Sequence, residues 1–310
     1  MPQNDDSASW PPLPYQAWRD TYQTLHLWLQ IVGKISLAQC SWINHSWHVA
    51  LLTTARGLST RLLGTGDKAF QIDFDFVEHV LSIRLLNGAV VAIPLEPRST
   101  ASFYRKIMDA MKQVGVPVAI HTMPSELPDA IPFDTDEVHG SYDREFANRY
   151  WRVLAQTSRV FEDFRARFIG KCSPVHYFWG SADLAVTRFS GRTAPPHPGG
   201  IPNLPDWVAR EAYSHEVSSA GFWAGNDQNP EAVFYSYAYP DPPGFADARV
   251  SPEAAHFSAS LREFVLPYEA MRTARAPEQA LLAFLQSTYE AAATLGQWDR
   301  KALERASDRQ

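Results

Sequence analysis

The chain has 310 residues and a formal net charge of −6, with no basic stripe of the kind that displaces counterions from nucleic-acid phosphates. Hydrophobic residues make up 45% of it and charged residues 20%, a globular balance that suffices for two domains or one two-lobed domain. Two cysteines, Cys40 and Cys172, exclude a disulfide framework and a zinc knuckle, and no apolar run reaches membrane-spanning length.

The opening MPQNDDSASWPPLP is acidic and proline-rich without an apolar segment. It predicts a disordered arm over 1–14, no secretory signal and a cytoplasmic protein. A helix is predicted from Tyr15 to Val32, because Tyr22, Leu25, Leu29 and Val32 recur at spacings of three and four, with Gly33 as its stop. HVALL, FQIDFDF, LSIRLL and AVVAIPL read as strands, and Asn87–Gly88 marks a hairpin in which both residues tolerate positive φ. LLGTGDK at 62–68 lacks phosphate-loop spacing and reads as a turn. Phe103, Ile107, Met111 and Val114 stripe a helix that Gly115 and Pro117 end. Residues 15–120 thus form one α+β unit, and 121–140 a connector rich in proline and acid.

The pattern restarts over 141–300. A helix is predicted from Tyr142 to Phe168, then strands at HYFW, DLAVTRF, AYSHEVSSAGFW and AVFYSYAY. A final helix opens at Pro277, a favoured first position, and runs to Leu295, leaving 301–310 as a tail. The two passes match at several marks. Ile31-Val32-Gly33-Lys34 aligns with Phe168-Ile169-Gly170-Lys171, Trp47 and Arg56 with Trp179 and Arg188, and Phe103 to Gly115 with Phe284 to Gly296. This predicts an α+β fold of two diverged copies of a helix–antiparallel strands–helix unit, in a pseudo-twofold, two-lobed arrangement. The offset grows from 132 residues at the Trp pair to 181 at the last Gly, and the growth falls in loops at 190–210, 224–231 and 240–260. Added loops on a repeated scaffold are where binding settles, so the second copy is expected to hold the site.

GxGxxG, HExxH, GxSxG and paired CxxC motifs are absent. What remains is polar content in the second copy: His176, His197, His215, Asp183, Glu216, Arg188, Arg192 and Cys172. Strand alternation groups Tyr213, His215 and Val217, then Leu184, Val186 and Arg188, then Tyr235, Tyr237 and Tyr239. A face that combined His215, Arg188 and the tyrosines would have the composition of a small-molecule pocket.

Three functional readings stay open. In a metal site, His176 and His215 with Asp183, or with Glu216 or His197, would hold a divalent transition metal such as Zn, Fe or Mn. Those ligands would come from different strands, and His215 and Glu216 point opposite ways. In metal-free catalysis His176 or His215 is the base, Glu216 assists, and Arg188 or Arg192 clamps an anion. Cys172 follows a helix C-terminus, which raises a thiol pKa, and reads as structural. In binding without turnover, Arg192, Trp179, Tyr213, Tyr235, Tyr237 and His197 line a pocket. Each residue also has a structural reading: strand histidines and tyrosines pack across strands, and Arg188 has a counterpart in Arg56. The balance favours an enzyme acting on a small polar or anionic metabolite, with a non-catalytic small-molecule-binding protein as the alternative. The expected partner is a small-molecule ligand, with no nucleic acid and no membrane; the oligomeric state is not set by these features.

The stretches RDTYQTLHLWLQIVGK, FQIDFDF, RARFIGKCSPVHYFWGSADLAVTRFSGRTAPPHPGG, EAYSHEVSSAGFWAG, FYSYAYPDP and FLQSTYEAA resemble a bacterial family known only as domain of unknown function 5996. The resemblance runs from about Leu13 to Arg300 and is weakest at IPNLPDWVAR, 201–210. It implies a bacterial cytosolic protein made of this one family, and brings no activity, cofactor or catalytic residue with it.

Overall fold

The structure, a computed structural model, describes residues 9–306. Its layout follows from one helix that is buried on every side over half its length. In α1 (Tyr15–Gln39) every residue from 24 to 36 is buried, Leu25, Trp28, Leu29, Ile31, Val32 and Ile35 among them, and only the two ends, at Gln16, Ala17, Asp20, Leu37 and Ala38, are exposed. The helix runs past Gly33, where a stop was expected. A Cβ at that position would lie 2.1 Å from the Trp179 indole, so glycine is there for a close approach inside the helix rather than to end it.

The first sheet is an antiparallel meander of β1 (Leu52–Thr53), β2 (Gly57–Ser59), β3 (Phe70–Asp75), β4 (Val80–Leu85) and β5 (Val90–Pro94), in sequential order. In β3, Phe70, Ile72 and Phe74 are buried and alternate with half-buried Gln71, Asp73 and Asp75, the period-two pattern of a sheet with one apolar face. The β4–β5 hairpin forms as expected, but only Gly88 of the Asn87–Gly88 pair takes a positive φ, at 87°. Of the HVALL run only Leu52 enters this sheet, joined in β1 by the following Thr53. α2 (Thr100–Gln113) opens on Ser99, whose side chain accepts from the Ser102 amide, and packs on α1.

The second half opens with α3 (Arg144–Ala166), capped by Asp143. There follow β6 (His176–Phe178), β7 (Asp183–Thr193), α4 (Asp206–Ala212), β8 (His215–Trp223), β9 (Val233–Tyr239), β10 (His256–Ser258) and β11 (Glu263–Pro267). α5 (Tyr268–Arg272), α6 (Pro277–Leu295) and α7 (Arg300–Leu303) end the fold. The strands form one sheet in the order β10-β11-β9-β8-β7-β6, with α3 and α6 packed on it. Tyr213 caps α4 instead of opening a strand, and β8 begins only at His215. Leu51, just before β1, exchanges both backbone hydrogen bonds with Tyr177 of β6, at 2.9 and 2.8 Å, so the two sheets meet edge to edge.

Helices and antiparallel sheets make this an α+β chain, as expected. Residues 9–14 are packed where a loose arm was expected: Trp10 is fully buried and the Tyr268 hydroxyl donates to the Pro11 carbonyl at 2.8 Å. The rest of that arm, 1–8, and residues 307–310 of the expected tail lie outside the described residues. Arg56 and Arg188 hold different places. Arg56 is exposed and pairs with Asp75 at 2.6 Å, whereas Arg188 is buried mid-strand. Among the described residues no helix is long and apolar enough to cross a membrane.

Gly33→Ala tests the packing of α1. In an unobstructed helix this change stabilises by about 1 kcal/mol. Against the Trp179 ring it is expected to destabilise by about 1–3 kcal/mol, read as a lower urea midpoint. An unchanged or higher midpoint would contradict the contact.

Candidate functional site

Register decides what the second sheet offers to each side. Asp183 pairs with Trp223, Ala185 with Gly221, Thr187 with Ser219 and Phe189 with Val217; Gly221 then pairs with Tyr235 and Ser219 with Tyr237. These residues share one face. His176 and Phe178 join it from β6, where they pair with Ala185 and Asp183. Leu184, Val186, Arg188, Ala220, Phe222 and Phe234 take the opposite face, toward α3 and α6.

The first face is the floor of a cavity of about 1150 Å³. Its walls are the end of α1 with Lys34 and Leu37, the segment Trp42–Val49, and connector residues His121, Ser125 and Glu126. Loop residues Ile201, Asn203, Leu204 and Pro205 lead into α4, which adds Trp207, Val208 and Ala209. Trp42 and Trp207 meet at 4.6 Å between ring centroids, and the Trp42 indole donates to Glu211 at 2.7 Å.

A polar stripe on α1 places several of these groups. His26, Gln30 and Lys34 are four residues apart and therefore share a helix face. His26 Nε2 donates to the Trp179 and Gly180 carbonyls at 2.8 and 2.9 Å. The Gln30 amide holds Ser125 at both ends, donating to its carbonyl at 3.0 Å and accepting from its N–H at 2.8 Å. Lys34 Nζ donates to Ser125 Oγ at 3.1 Å. The next residue, Glu126, is thereby fixed with a φ of 65°, and its carboxylate accepts from Ser181 Oγ at 2.6 Å. Gly180 makes room for it, since a Cβ there would lie 2.0 Å from Glu126 Oε1.

On the floor, Tyr235 crosses Gly221 and donates its hydroxyl to Asp183 Oδ2. A Cβ at Gly221 would lie 2.3 Å from the Tyr235 ring, so this glycine is what lets the tyrosine reach two strands over. The Tyr213 and Tyr237 hydroxyls lie 2.8 Å apart, as do Thr187 Oγ1 and Ser219 Oγ. Glu263, at the start of β11, completes an acidic set with Asp183 and Glu126. Burial pushes Asp183 up to about 7 against the pull of the Tyr235 hydrogen bond. Burial, with the charge of Asp183 second, pushes Glu263 up to about 7, and burial also raises Glu126. Lys34 is lowered to about 8 and His176 to about 4, both by burial. His176 Nδ1 donates to the Pro174 carbonyl at 2.6 Å, which leaves Nε2 as a buried acceptor without a partner among the described residues.

The residues expected to act together are divided between the two faces. His176, Asp183, Trp179, Tyr213, Tyr235 and Tyr237 line the cavity. His197 lies beside it, stacked on Tyr213 at 4.7 Å. His215 sits at the far end of β8, its ring 6.3 Å from that of His45, whose Nε2 accepts from Lys171 at 2.6 Å. Arg188 is on the helix side, because it pairs with Ser218 and not with Ser219. Its guanidinium lies 3.5 Å from the Phe164 ring and 4.3 Å from that of Tyr289, and donates to the Phe164 carbonyl. Glu216 accepts from Arg192 at 2.6 Å, and Arg192 reaches the carbonyls of Gly296 and Gln297 at the end of α6. The face expected to combine His215, Arg188 and the tyrosines therefore does not exist. His176, His215 and Asp183 do not converge as ligands either: among the described residues no group of three or more His, Cys, Asp or Glu side chains is arranged to hold a metal ion. Cys172, raised to about 11 by burial, is a packed thiol. Lys34, Glu126, Glu263, Trp42 and Trp207 line the cavity without having been expected there. Of these, only Lys34 had a sequence signal, as a charge four residues from Gln30 in an apolar helix.

The raised acids have a consequence for stability. Asp183 and Glu263 ionise near about pH 4 in the unfolded chain and near about 7 in the fold. The unfolded chain therefore loses its protons first, and the acids' contribution to stability falls as pH rises from about 4 to about 7, then levels. Asp183→Asn removes one share of that loss. Its stability relative to the unmodified chain is expected to grow across this window, by up to about 4 kcal/mol above pH 7. His176 weakens the fold in the other direction, below about pH 6.5, but does so in both proteins and cancels from the difference. Urea unfolding at a series of pH values measures it, and a difference that stays flat with pH would contradict the burial of Asp183.

The family of unknown function DUF5996 matches residues 10–305, nearly the whole chain, and the protein belongs to it. No curated protein and no solved structure matches the chain.

Proposed function

We propose, for this member of a family of unknown function, that it binds a small organic molecule in the cavity between α1, α4 and the open face of the second sheet. The observation that carries this reading is the cavity itself: about 1150 Å³, walled by tryptophans and aliphatic side chains, with a few polar groups converging on its floor. That is the composition of ligand sites, which are mostly apolar with a small number of placed polar groups. A sheet face covered only to make a core would have been filled by side chains.

A second reading, an acid–base enzyme acting on the bound molecule, is favoured by Asp183 and Glu263. Both titrate near 7, where a carboxyl group can give and take a proton at neutral pH, and His176 Nε2 is a free acceptor on the same floor. In this reading His176 keeps the role of base expected for it, Asp183 and Glu263 stand where Glu216 was expected, and no step passes through a metal.

The two halves each run helix, antiparallel strands, helix, and we read them as diverged copies that meet at the Leu51–Tyr177 edge. The cavity then draws on both: floor from the second copy, one wall from the first.

A neutral apolar dye whose emission rises on leaving water tests the binding reading. Saturable uptake at one site per chain is expected. Ala185→Trp, which projects an indole from the floor, is expected to weaken that uptake by about tenfold or more. Absence of uptake by the unmodified chain, or equal uptake by the variant, would overturn the proposal.

A further inference from the structure

The cavity holds an imbalance of charge partners. Three acids line it, Glu126, Asp183 and Glu263, and among the described residues none forms an ion pair with a lysine or arginine. Asp183 accepts from the Tyr235 hydroxyl, and Glu126 from Ser181. Lys34, the cation on the wall, is turned to Ser125 Oγ and lies 5.9 Å from the centre of the Trp179 ring. A buried carboxylate that lacks a cation either takes a proton or waits for a positive group to arrive.

The walls suit such a group. Trp179, Trp207, Trp42, Tyr235 and Tyr237 line the cavity, and the last two stack with centroids 6.1 Å apart and planes 17° from parallel. Aromatic faces attract an organic cation through their quadrupole, more strongly where water is excluded. An anionic ligand would meet like charge from three acids. A polyhydroxylated neutral ligand would leave hydroxyls unpaired over Ala185, Val217 and Val233.

We infer that the ligand is an organic amine or quaternary ammonium, its cationic head drawn to the carboxylates that line the cavity floor, Asp183 or Glu263, and its apolar body lying among the tryptophans. This rests on the cavity being a ligand site. It replaces the anionic metabolite that Arg188 and Arg192 had suggested, since neither arginine lines the cavity. A cation entering the site draws the acids into their charged form, so binding is accompanied by proton release wherever they were protonated beforehand. The other titratable groups lining the cavity are Tyr235 and Tyr237 of β9, Tyr213 at the end of α4, Glu126 and His121 of the connector, His45 of the 42–49 segment, His176 of β6 and Lys34 of α1.

Calorimetry on the full chain with three indole probes of one shape tests this: tryptamine, the neutral indole-3-ethanol and the anionic indole-3-propionate. Tryptamine is expected to bind at least about tenfold more tightly than the alcohol and the acid least of all. At about pH 6, repeating the tryptamine titration in buffers of different ionisation enthalpy is expected to show release of up to about one proton per site, a release that disappears by about pH 8.5. Asp183→Asn combined with Glu263→Gln, in a chain whose urea unfolding stays cooperative, is expected to erase the preference for the amine. Equal binding of amine and alcohol, or preference for the acid, would overturn the inference and leave the cavity reading standing. If neither the probes nor the dye bind, both fall together.

Discussion

Three polar side chains in the buried stretch of α1 constrain where the rest of this fold can run. His26, Gln30 and Lys34 lie inside the protein, where an unpaired polar group costs about 1–3 kcal/mol. Their partners are backbone carbonyls at Trp179 and Gly180 and the backbone and hydroxyl of Ser125. The stripe therefore dictates where two otherwise irregular segments must run. One carries Glu126. The other is the turn between β6 and β7, from which Asp183 starts. A helix from the first half of the chain thus sets the position of two acids that face the second sheet.

The acids follow from that placement in physical sequence. Gly180 and Gly221 remove side chains that would occupy the space of Glu126 and Tyr235. Tyr235 can then lie across the sheet to Asp183, and the connector can close one side of the cavity. Because the walls are apolar and no cation among the described residues pairs with the acids, burial dominates their titration and raises the two floor acids to about 7. An interior that keeps ionisable groups without partners gives up stability for them, as binding and catalytic sites commonly do. On the helix side of the same sheet, Arg188 and Arg192 serve packing: one inside a cage of Phe164, Phe168 and Tyr289, the other tying Glu216 to the end of α6.

Much of the fold was legible in the residues because it is periodic. The stripe at Phe103, Ile107 and Met111, the alternation of FQIDFDF, and Pro277 at a helix start each report a local preference that packing did not override. Gly33 was misread because a glycine needed for close packing looks the same as one that ends a helix. The site was half legible. His176, Asp183, Trp179 and the tyrosines Tyr213, Tyr235 and Tyr237 were expected at a site in the second half of the chain, and they line the cavity. Alternation says which residues of a strand share a face, but not which face the helices will cover, and so Arg188 was put with the wrong neighbours. Glu126 and Glu263 carried no signal, since a lone acid in a proline-rich connector or before a strand reads as solvated. Only the tertiary arrangement takes them out of water.

The central claim is that buried Asp183 and half-buried Glu263 face the cavity with no cationic partner among the described residues. Carbon-13 NMR of their side-chain carboxyl groups, titrated from acid to mildly basic pH and assigned with Asp183→Asn and Glu263→Gln, measures this directly. The account predicts that both titrate with midpoints near 7. Midpoints near the ordinary carboxyl value of about 4 would contradict it.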